Sequence, residues 1–288
     1  MSKILAGIIS YNGINFLNDC IGSCLKSNLN VLVVDNNSND GSINFLTKIE
    51  SIKLIKNQVN YGFTYSANQL LNFATLNKFE YLLLLNQDTS FDEKMPEMLL
   101  NSIENNKGFA IVSPIHKNEL GKLEYQFELN CMNFKIDLES KFGDTIEVPF
   151  VNAACWLIDM KKISEIGIFN PIFNNYGGDL NFCHRTIFSG YKIGINTKSC
   201  IIHKKEDFDY QKSIIKTIKT NNTYNLALLI NPLENVNITG KFFSLFKNMV
   251  KSFIKLNFKS VLIFTITFFY LMYMLKDVLK LRKTMKFI

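Results

Sequence analysis

The sequence predicts an α/β fold, in which a mostly parallel central sheet is covered by helices on both faces and is followed by a helical tail. Short apolar runs of strand length alternate with segments of helical periodicity over the first 92 residues. Such alternation is typical of parallel sheets, because each parallel strand pair needs a long crossover connection. Charge and composition then change near residue 240. We therefore expect an α/β domain at residues 1–240 and a basic, apolar tail at 241–288.

Composition places the chain among ordinary globular proteins. It has 288 residues, of which 47% are hydrophobic and 20% charged, so a sizeable core is expected and disorder is not. Six cysteines form no CxxC pair, and several lie in apolar runs. This pattern indicates buried thiols in a reducing cytosol rather than a disulfide framework. The first apolar run ends at Tyr11 and Asn12, so we expect no secretory signal peptide.

Four strands and three helices account for the alternation. Each strand is an apolar run, and the helices carry apolar residues three and four positions apart. Near-continuous apolar strands predict a sheet that is covered on both faces. The strands are KILAGIISY, NVLVVDN, IKLIKN and EYLLLLNQD, and the helices lie in NFLNDCIGSCLKS, SNDGSINFLTKI and YGFTYSANQLLNFAT.

Polar side chains gather where the predicted strands and crossovers meet. Any one of them could be a turn former or a helix cap. Four such places in succession favour a shared pocket, because ligands of parallel sheets bind outside the carboxyl ends of the strands. The residues are Ser10, Tyr11 and Asn12, then Asp35, Asn36, Asn37 and Ser38, then Asn60, Tyr61 and Gly62, and finally Asn86, Gln87 and Asp88.

Two large function classes are excluded by missing motifs, and a third by charge. No GxGxxG follows the first strand and no GxxxxGK[ST] occurs, which argues against dinucleotide oxidoreductases and P-loop NTPases. The tail from Lys241 carries a net charge of +9 in a chain of +7, which leaves −2 for the first 240 residues. Such a body lacks the basic face of a nucleic-acid-binding protein, so we expect no nucleic-acid partner.

Six segments, taken in order, resemble the GT-A inverting nucleotide-sugar glycosyltransferases, and most of all their rhamnosyltransferase-like branch. They are IISYNG, VLVVDNNSNDGS, NYGFTYSANQ, LLLLNQDTSFD, VNAACWLIDMKKISEIGIFN and NNYGGDLNFCHRTIFSGYKI. Each motif is weak alone, but the ordered set is specific and covers about residues 3–230. The resemblance implies a GT-A fold, a dTDP- or UDP-sugar donor, a divalent metal (Mg²⁺ or Mn²⁺) and inversion at the anomeric carbon.

The stretch NQD matches the acidic metal motif of this family. The resemblance implies that Asp88 binds the metal, since hard cations take carboxylate oxygens. Asn86 departs from the usual pattern of an Asp at both ends, and we expect weaker metal affinity because an amide adds no charge. His203, in CIIHKK, matches a family histidine that completes the metal shell. A purely structural histidine is the alternative.

The stretch YGGDLNFCHR matches the family segment that carries the catalytic base. The resemblance implies that Asp179 takes the proton of the acceptor hydroxyl, for which a carboxylate with a raised pKa is suited. Gly178 and Asn181 stand where the family usually has further acids. Arg185 matches a family arginine that would orient the helix or touch phosphate. The alternative for Asp179 is a solvated first turn of a helix, where Asp is favoured.

Further residues are implied to bind the donor and the acceptor. Asp35 resembles the residue that reads the pyrimidine N–H, Tyr11 would cover the base or ribose, and Asn60 and Asn68 would help to hold the nucleotide. Trp156 is the only tryptophan. It would line the acceptor pocket by stacking on a sugar face, with packing in the core as the alternative.

The tail predicts contact with a membrane surface. Lys247, Lys251, Lys255 and Lys259 recur every four residues, which on one helix would form a basic stripe beside Phe, Ile and Leu. The uncharged stretch 260–275 would span about 24 Å as a helix, short of a bilayer core of about 30 Å. We expect an interfacial association with anionic lipid. The alternative is a helical appendage that packs on the domain or on a second subunit.

These observations together predict a metal-dependent, inverting glycosyltransferase. Rhamnose is the sugar that the resemblance favours, and the acceptor would be a lipid-linked surface glycan of the lipopolysaccharide, capsule or O-antigen kind. The enzyme would be peripheral, on the cytoplasmic face of the inner membrane. The alternative is a catalytically silent member of the fold that binds nucleotide or glycan. A nucleotidyltransferase is less favoured, because SYNGINF lacks the glycines and the positive charge that its loop would need.

Overall fold

The computed structural model describes residues 3–138, 143–204 and 214–284. Within these ranges a nine-stranded mixed sheet forms the centre of the molecule, and helices cover both of its faces. The strands are β1 (Ile4–Ser10), β2 (Asn30–Asp35), β3 (Ile52–Lys56), β4 (Tyr81–Asn86), β5 (Thr89–Phe91), β6 (Phe109–Lys117), β7 (Thr145–Glu147), β8 (Cys155–Asp159) and β9 (Lys192–His203). The helices are α1 (Ile14–Lys26), α2 (Ser42–Leu46), α3 (Gly62–Leu76), α4 (Met95–Asn105), α5 (Tyr125–Asn133), α6 (Ile163–Ile166), α7 (Gly178–Phe188), α8 (Ile214–Leu229), α9 (Ile238–Ile254) and α10 (Phe258–Thr284).

The first four strands are parallel, as the alternation predicted. Their order in the sheet is β3-β2-β1-β4, and Ile8 on β1 lies opposite Val33 on β2 and Leu85 on β4. Leu82 and Leu84 pack toward α3 on one face, whereas Leu83 and Leu85 pack toward α1 on the other. Both faces of β4 are thus buried, which explains why its sequence is an unbroken run of leucine.

The second half of the sheet is mixed, a feature that the sequence analysis did not specify. β8 lies between β4 and β6 and is antiparallel to both, and β6 pairs in parallel with the long strand β9. β9 also pairs antiparallel with both short strands, β5 and β7. β9 therefore carries the chain from the body of the sheet to the edge where β4 ends.

The cysteines are free thiols, in agreement with the expectation from their spacing. Cys20, Cys24, Cys131, Cys155 and Cys183 are buried, and Cys200 is half-buried. Burial raises the pKa of the Cys155 thiol well above its ordinary value, so this group stays protonated at neutral pH. These side chains act as small apolar core residues.

The tail is a helical hairpin rather than one long helix. Leu256 adopts a left-handed backbone conformation (φ 53°) between α9 and α10, and the side chain of Asn257 accepts a hydrogen bond from the Ser260 N–H at 3.1 Å. The predicted lysine stripe is therefore broken, because Lys259 lies on α10 while Lys251 lies on α9. The two helices run side by side instead.

One face of this hairpin packs on the α/β body. Leu245 of α9 and Leu271 and Val278 of α10 form a buried cluster with Leu226 and Leu229 of α8. The remaining apolar side chains of α9 and α10 are mostly exposed. α10 is the one helix of the described chain that is long and apolar enough to cross a membrane by length and composition, and most of its apolar stretch is not buried against the rest of the chain.

Candidate active site

Gln87 fastens the end of β4 to the loop that follows β1. Its side-chain carbonyl accepts a hydrogen bond from the Tyr11 N–H at 2.8 Å, and its amide donates to the Tyr11 carbonyl at 3.0 Å. A side chain at Gly13 would collide with this amide in its present position, so Gln87 would have to move. The ring of Tyr11 is left 46% exposed at the sheet edge. Sequence reasoning missed the role of Gln87, since an amide in a turn carries no signal for a distant backbone partner.

Asp35 is fully buried and holds the loop after β2 in place. Its carboxylate accepts hydrogen bonds from the Ser10 hydroxyl at 3.2 Å, the Ser38 N–H at 2.9 Å and the Ser38 hydroxyl at 2.6 Å. The residue is 0% exposed in the structure. A contact between Asp35 and the pyrimidine stays a prediction.

Asn60 lies just before the start of α3 and is exposed. Its side-chain carbonyl accepts a hydrogen bond from the Gly62 N–H at 2.9 Å, which shapes the turn into α3. Gly62 has φ +83°, a left-handed conformation that favours glycine. A contact between Asn60 and the nucleotide stays a prediction.

Asp88 and His203 meet because β5 and β9 are paired. Thr89 lies opposite His203 in the ladder, and the Lys204 N–H donates to the Asp88 carbonyl at 2.7 Å. This register places Asp88 Oδ1 3.2 Å from His203 Nε2. Neither of these two buried atoms makes a hydrogen bond within the described part of the chain. A carboxylate oxygen and an imidazole nitrogen held together in this way fit a divalent cation such as Mn²⁺, to which both atom types bind.

Asp179 lies in the first turn of α7, directly after the left-handed Gly177. Burial raises the pKa of the Asp179 carboxyl above its ordinary value of 3.8, and hydrogen bonds from the Leu180 and Ala153 N–H groups oppose that rise only in part. Ala153 also ties Asp179 to the metal motif, because its neighbour Ala154 accepts a hydrogen bond from the Asn86 N–H at 3.0 Å. The two candidate carboxylates therefore lie on adjoining segments of one sheet edge.

The structure gives a packing reason for the missing acid at position 178. A Cβ atom at Gly178 would lie 2.8 Å from the Thr64 hydroxyl, closer than such contacts allow. Asn181, the other departure, is fully buried, and its side-chain carbonyl accepts a hydrogen bond from Arg185 Nε at 3.2 Å. Asp179 is thus the single carboxylate of this motif, and its first turn packs tightly against α3.

Arg185 and Asn68 both bind the backbone of the loop ahead of Asp179. The Arg185 guanidinium donates to the carbonyls of Ile166 and Ile168. Asn68 of α3 uses both ends of its amide on the backbone of Phe169, at 2.9 Å each. The expected nucleotide contacts of Arg185 and Asn68 stay predictions.

Trp156 is a core residue. Its side chain is 0% exposed and stacks on Phe169, with ring centroids 6.2 Å apart and planes 14° from parallel, and it also packs against Phe182. Alternation along β8 directs the ring into the core cluster on the face of the sheet that α3 covers. A contact between Trp156 and an acceptor sugar stays a prediction.

Two tyrosines at the start of α3 form the exposed aromatic surface that Trp156 does not supply. The rings of Tyr61 and Tyr65 have centroids 4.5 Å apart, and both side chains are largely exposed. Tyr61 follows Asn60 and is the N-cap of α3, and Tyr65 lies within that helix. The spacing of four residues could have predicted this pair, since side chains four apart lie on one face of a helix.

Comparison with solved structures shows that this architecture is the GT-A fold. The structure of GalNAc-T7 with UDP, GalNAc and Mn²⁺ superposes with a TM-score of 0.59 at 14% identity, covering 79% of this chain and 47% of that one. The chain thus spans about half the length of that protein. The structure of S. aureus TarS 1–349 in complex with UDP-GlcNAc also gives 0.59 at 14% identity, covering 84% of this chain and 70% of that one.

Sequence comparison is more specific. A search among curated proteins found no match. The sequence model of the family described as "Glycosyl transferase family 2" matches residues 6–167, which is more than half of the chain. That span contains β1 to β4, the NQD stretch and β8. The chain belongs to glycosyl transferase family 2.

Proposed function

We propose that this protein transfers a sugar, with inversion, from a nucleoside diphosphate donor to a glycan or lipid-linked acceptor. The observation that carries the proposal is the pairing of Asp88 with His203 at the same sheet edge as the half-buried Asp179. The Asp88–His203 pair is suited to bind a metal at the leaving diphosphate, and Asp179 is suited to accept the proton of the acceptor hydroxyl. Membership of glycosyl transferase family 2 supports the reaction class.

Asp179 is the proposed general base. As the acceptor oxygen bonds to the anomeric carbon, its proton passes to the Asp179 carboxylate. The bond between that carbon and the phosphate oxygen breaks, and its electron pair leaves with the diphosphate. Attack from the face opposite the leaving group inverts the anomeric configuration. A divalent metal held by Asp88 and His203 would neutralise the charge that develops on the leaving diphosphate.

The donor that we propose is a dTDP- or UDP-sugar, with dTDP-rhamnose first among them because of the resemblance of the motifs to the rhamnosyltransferase-like branch. The exposed ring of Tyr11 would stack on the base or ribose. The Gln87 side chain holds the Tyr11 backbone by hydrogen bonds. The solved relatives are consistent with this class, since GalNAc-T7 and TarS were solved with UDP or UDP-GlcNAc.

The acceptor that we propose is a lipid-linked precursor of a surface glycan, used at the cytoplasmic face of the inner membrane. The support is the tip of the α9–α10 hairpin, where Phe253, Ile254, Leu256 and Phe258 are exposed between Lys251 and Lys259. Exposed apolar side chains beside lysines are typical of surfaces that bind anionic lipid. The exposed pair Tyr61–Tyr65 would contact the acceptor sugar.

A catalytically silent member of the family is the second candidate, favoured by Asn86 and Gly178, which stand where related sequences carry acids. The two candidates differ in turnover. Purified protein incubated with Mn²⁺ and a panel of dTDP-, UDP- and GDP-sugars is expected to release nucleoside diphosphate from one donor. Nucleotide binding without release from any donor, with and without a water-soluble acceptor analogue, would support the silent alternative.

A further inference from the structure

A second group of ligating side chains lies next to Asp88 and is shared with it through His203. The ligand atoms of His116, Glu124 and His203 all lie within 4.8 Å of one another. The three residues are 0%, 6% and 5% exposed. Two imidazoles and a carboxylate thus converge in the interior of an enzyme whose proposed chemistry uses only one of them.

The topology brings these residues together from three elements. His116 on β6 lies opposite Ile201 on β9, two residues before His203. The Glu124 N–H donates to the His116 carbonyl at 2.9 Å, which places Glu124 beside His116 at the start of α5. Glu124 also caps that helix, because its Oε2 accepts the Phe127 N–H at 2.9 Å. Sheet register and a helix cap therefore fix the group before any ligand arrives.

Burial makes this arrangement unusual. Removing a carboxylate and two imidazoles from water is costly unless their charges and lone pairs are compensated. For His203, neither ring nitrogen makes a hydrogen bond within the described part of the chain, although Nε2 lies 3.2 Å from Asp88 Oδ1. A cation among the three side chains could bind the carboxylate oxygen and the imidazole nitrogens at once.

The donor set matches a transition metal better than magnesium. Imidazole nitrogens with one carboxylate suit Zn²⁺ or Mn²⁺, whereas Mg²⁺ prefers oxygen ligands and keeps its waters. Ligand atoms about 2.0–2.2 Å from a zinc ion lie about 3–4.4 Å from one another. The three ligand atoms here lie within 4.8 Å of one another, so small side-chain shifts would bring them to a common ion. The Ser113 hydroxyl lies 3.0 Å from His116 Nε2, an outer hydrogen bond of the kind that orients a ligating ring.

We propose that His116, Glu124 and His203 form a buried transition-metal centre, which binds Zn²⁺ or Mn²⁺ without nucleotide. This goes beyond the proposed function, on which it rests only through the shared His203. A metal bound here would hold the His203 ring beside Asp88 before the donor arrives. Metal binding should accordingly be independent of the diphosphate and selective against Mg²⁺.

Metal content of the full-length protein tests the proposal. The protein is stripped with chelator, dialysed against Zn²⁺ or Mn²⁺ without nucleotide, and analysed by mass spectrometry of the elements. Wild type and Asp88→Asn are expected to keep about one equivalent, while Glu124→Gln and His116→Gln lose affinity by at least about tenfold. Gln at position 124 can still accept the Phe127 N–H, so the α5 cap is retained. His184→Gln, on α7 and outside the group, is the matched control.

Because the variants could fail to fold, a second measurement uses wild type alone. Zn²⁺ should raise the thermal unfolding temperature of wild type, and Mg²⁺ at equal concentration should not. The proposal is overturned if wild type keeps no metal without nucleotide, or if Glu124→Gln keeps as much as wild type. It is also overturned if Asp88→Asn alone abolishes binding, since the metal then occupies only the diphosphate site. If the protein keeps metal but turns over no donor, the metal centre is supported and the proposed glycosyltransferase activity is contradicted. If the protein turns over a donor but binds metal only with nucleotide, the activity is supported and the metal centre is contradicted.

Discussion

Asp179 shows how the proposed chemistry depends on the surroundings of one residue. The residue is half-buried at the start of α7, and desolvation of its carboxyl raises the pKa more than the backbone hydrogen bonds lower it. The absence of a side chain at Gly178 lets the turn approach Thr64 closely. A carboxylate in this position is a stronger base than an exposed one, which suits proton abstraction near neutral pH.

Replacing Asp179 with Asn is expected to lower kcat by about 10²–10⁴-fold, the range for loss of a general base. Nucleotide affinity should remain near that of wild type, because the residue is proposed to contact the acceptor hydroxyl. Steady-state kinetics and isothermal titration with the nucleoside diphosphate separate these quantities. If binding weakened as much as the rate, Asp179 would belong to the donor site.

The pH dependence of the reaction should reflect the same group. The base must be ionised, so kcat/KM is expected to fall as pH decreases through the raised pKa of Asp179. That acidic limb should therefore lie above pH 3.8, the ordinary pKa of an aspartate. A pH–rate profile measures it, with the stability of the enzyme checked at each pH. An acidic limb at or below the ordinary value would mean that another group takes the proton.

Asp88 gives the corresponding prediction for the metal. Asp88→Asn is expected to abolish detectable turnover and to weaken nucleotide binding in the presence of Mn²⁺, because the diphosphate loses its counter-charge. Asn86→Asp makes the opposite change at the other end of the motif and should tighten Mn²⁺-dependent binding. Turnover that survives both Asp88→Asn and EDTA would remove Asp88 from the metal role.

At the scale of elements, the loop between α6 and α7 decides where Asp179 lies. Asn68 on α3 holds the backbone of Phe169, and the Phe63 N–H donates to the Asn175 side chain at 3.1 Å. Arg185 closes the loop from the other side through Ile166 and Ile168. Hydrogen bonds from α3 and α7 to this loop therefore fix the position of the proposed base.

Removing the hydrogen bonds between Asn68 and this loop should lower the reaction rate, although no reacting group is lost. Asn68→Ala is expected to reduce kcat while nucleotide affinity stays near wild type, since both amide hydrogen bonds to Phe169 are lost. Asn72→Ala, at an exposed position of the same helix, is the matched control and should leave kcat unchanged. A loss of nucleotide affinity in Asn68→Ala, at unchanged kcat, would support the nucleotide contact that the family resemblance implied.

At the scale of the whole molecule, the tail links the α/β body to the proposed membrane surface. One side of the hairpin is buried against α8, so its removal would expose Leu226 and Leu229. Truncation would therefore disturb the body as well as the membrane contact. Charge reversal at the exposed hairpin tip separates the two effects.

The triple variant Lys251→Glu, Lys255→Glu, Lys259→Glu is expected to lose co-sedimentation with anionic vesicles and activity on acceptor presented in them. Each lysine near such a surface contributes about 1 kcal/mol, and high salt should weaken wild-type binding in the same direction. Activity on a water-soluble acceptor analogue should be retained. The same substitutions at the exposed Lys48, Lys78 and Lys94 of the body are the matched control. Equal sedimentation of all three proteins would indicate that the hairpin is a packing or dimerisation element.

The sequence by itself determined the parallel half of the sheet, the buried free thiols and the family of the protein. These features depend on local patterns: an unbroken apolar run such as β4 specifies a strand buried on both faces, and the ordered motifs specify the family. The change of charge near residue 240 was accessible for the same reason.

Tertiary structure alone decided which partners the polar side chains have. Asp35, Asn68 and Arg185 have the residue types of binding groups, and in the fold they bind Ser38, Phe169 and Ile166. The meeting of His116, Glu124 and His203 likewise depends on the register of β9, a strand that joins segments distant in sequence. A side chain's type is a local property of the sequence, whereas its partner and its burial are set by the packing of the whole chain.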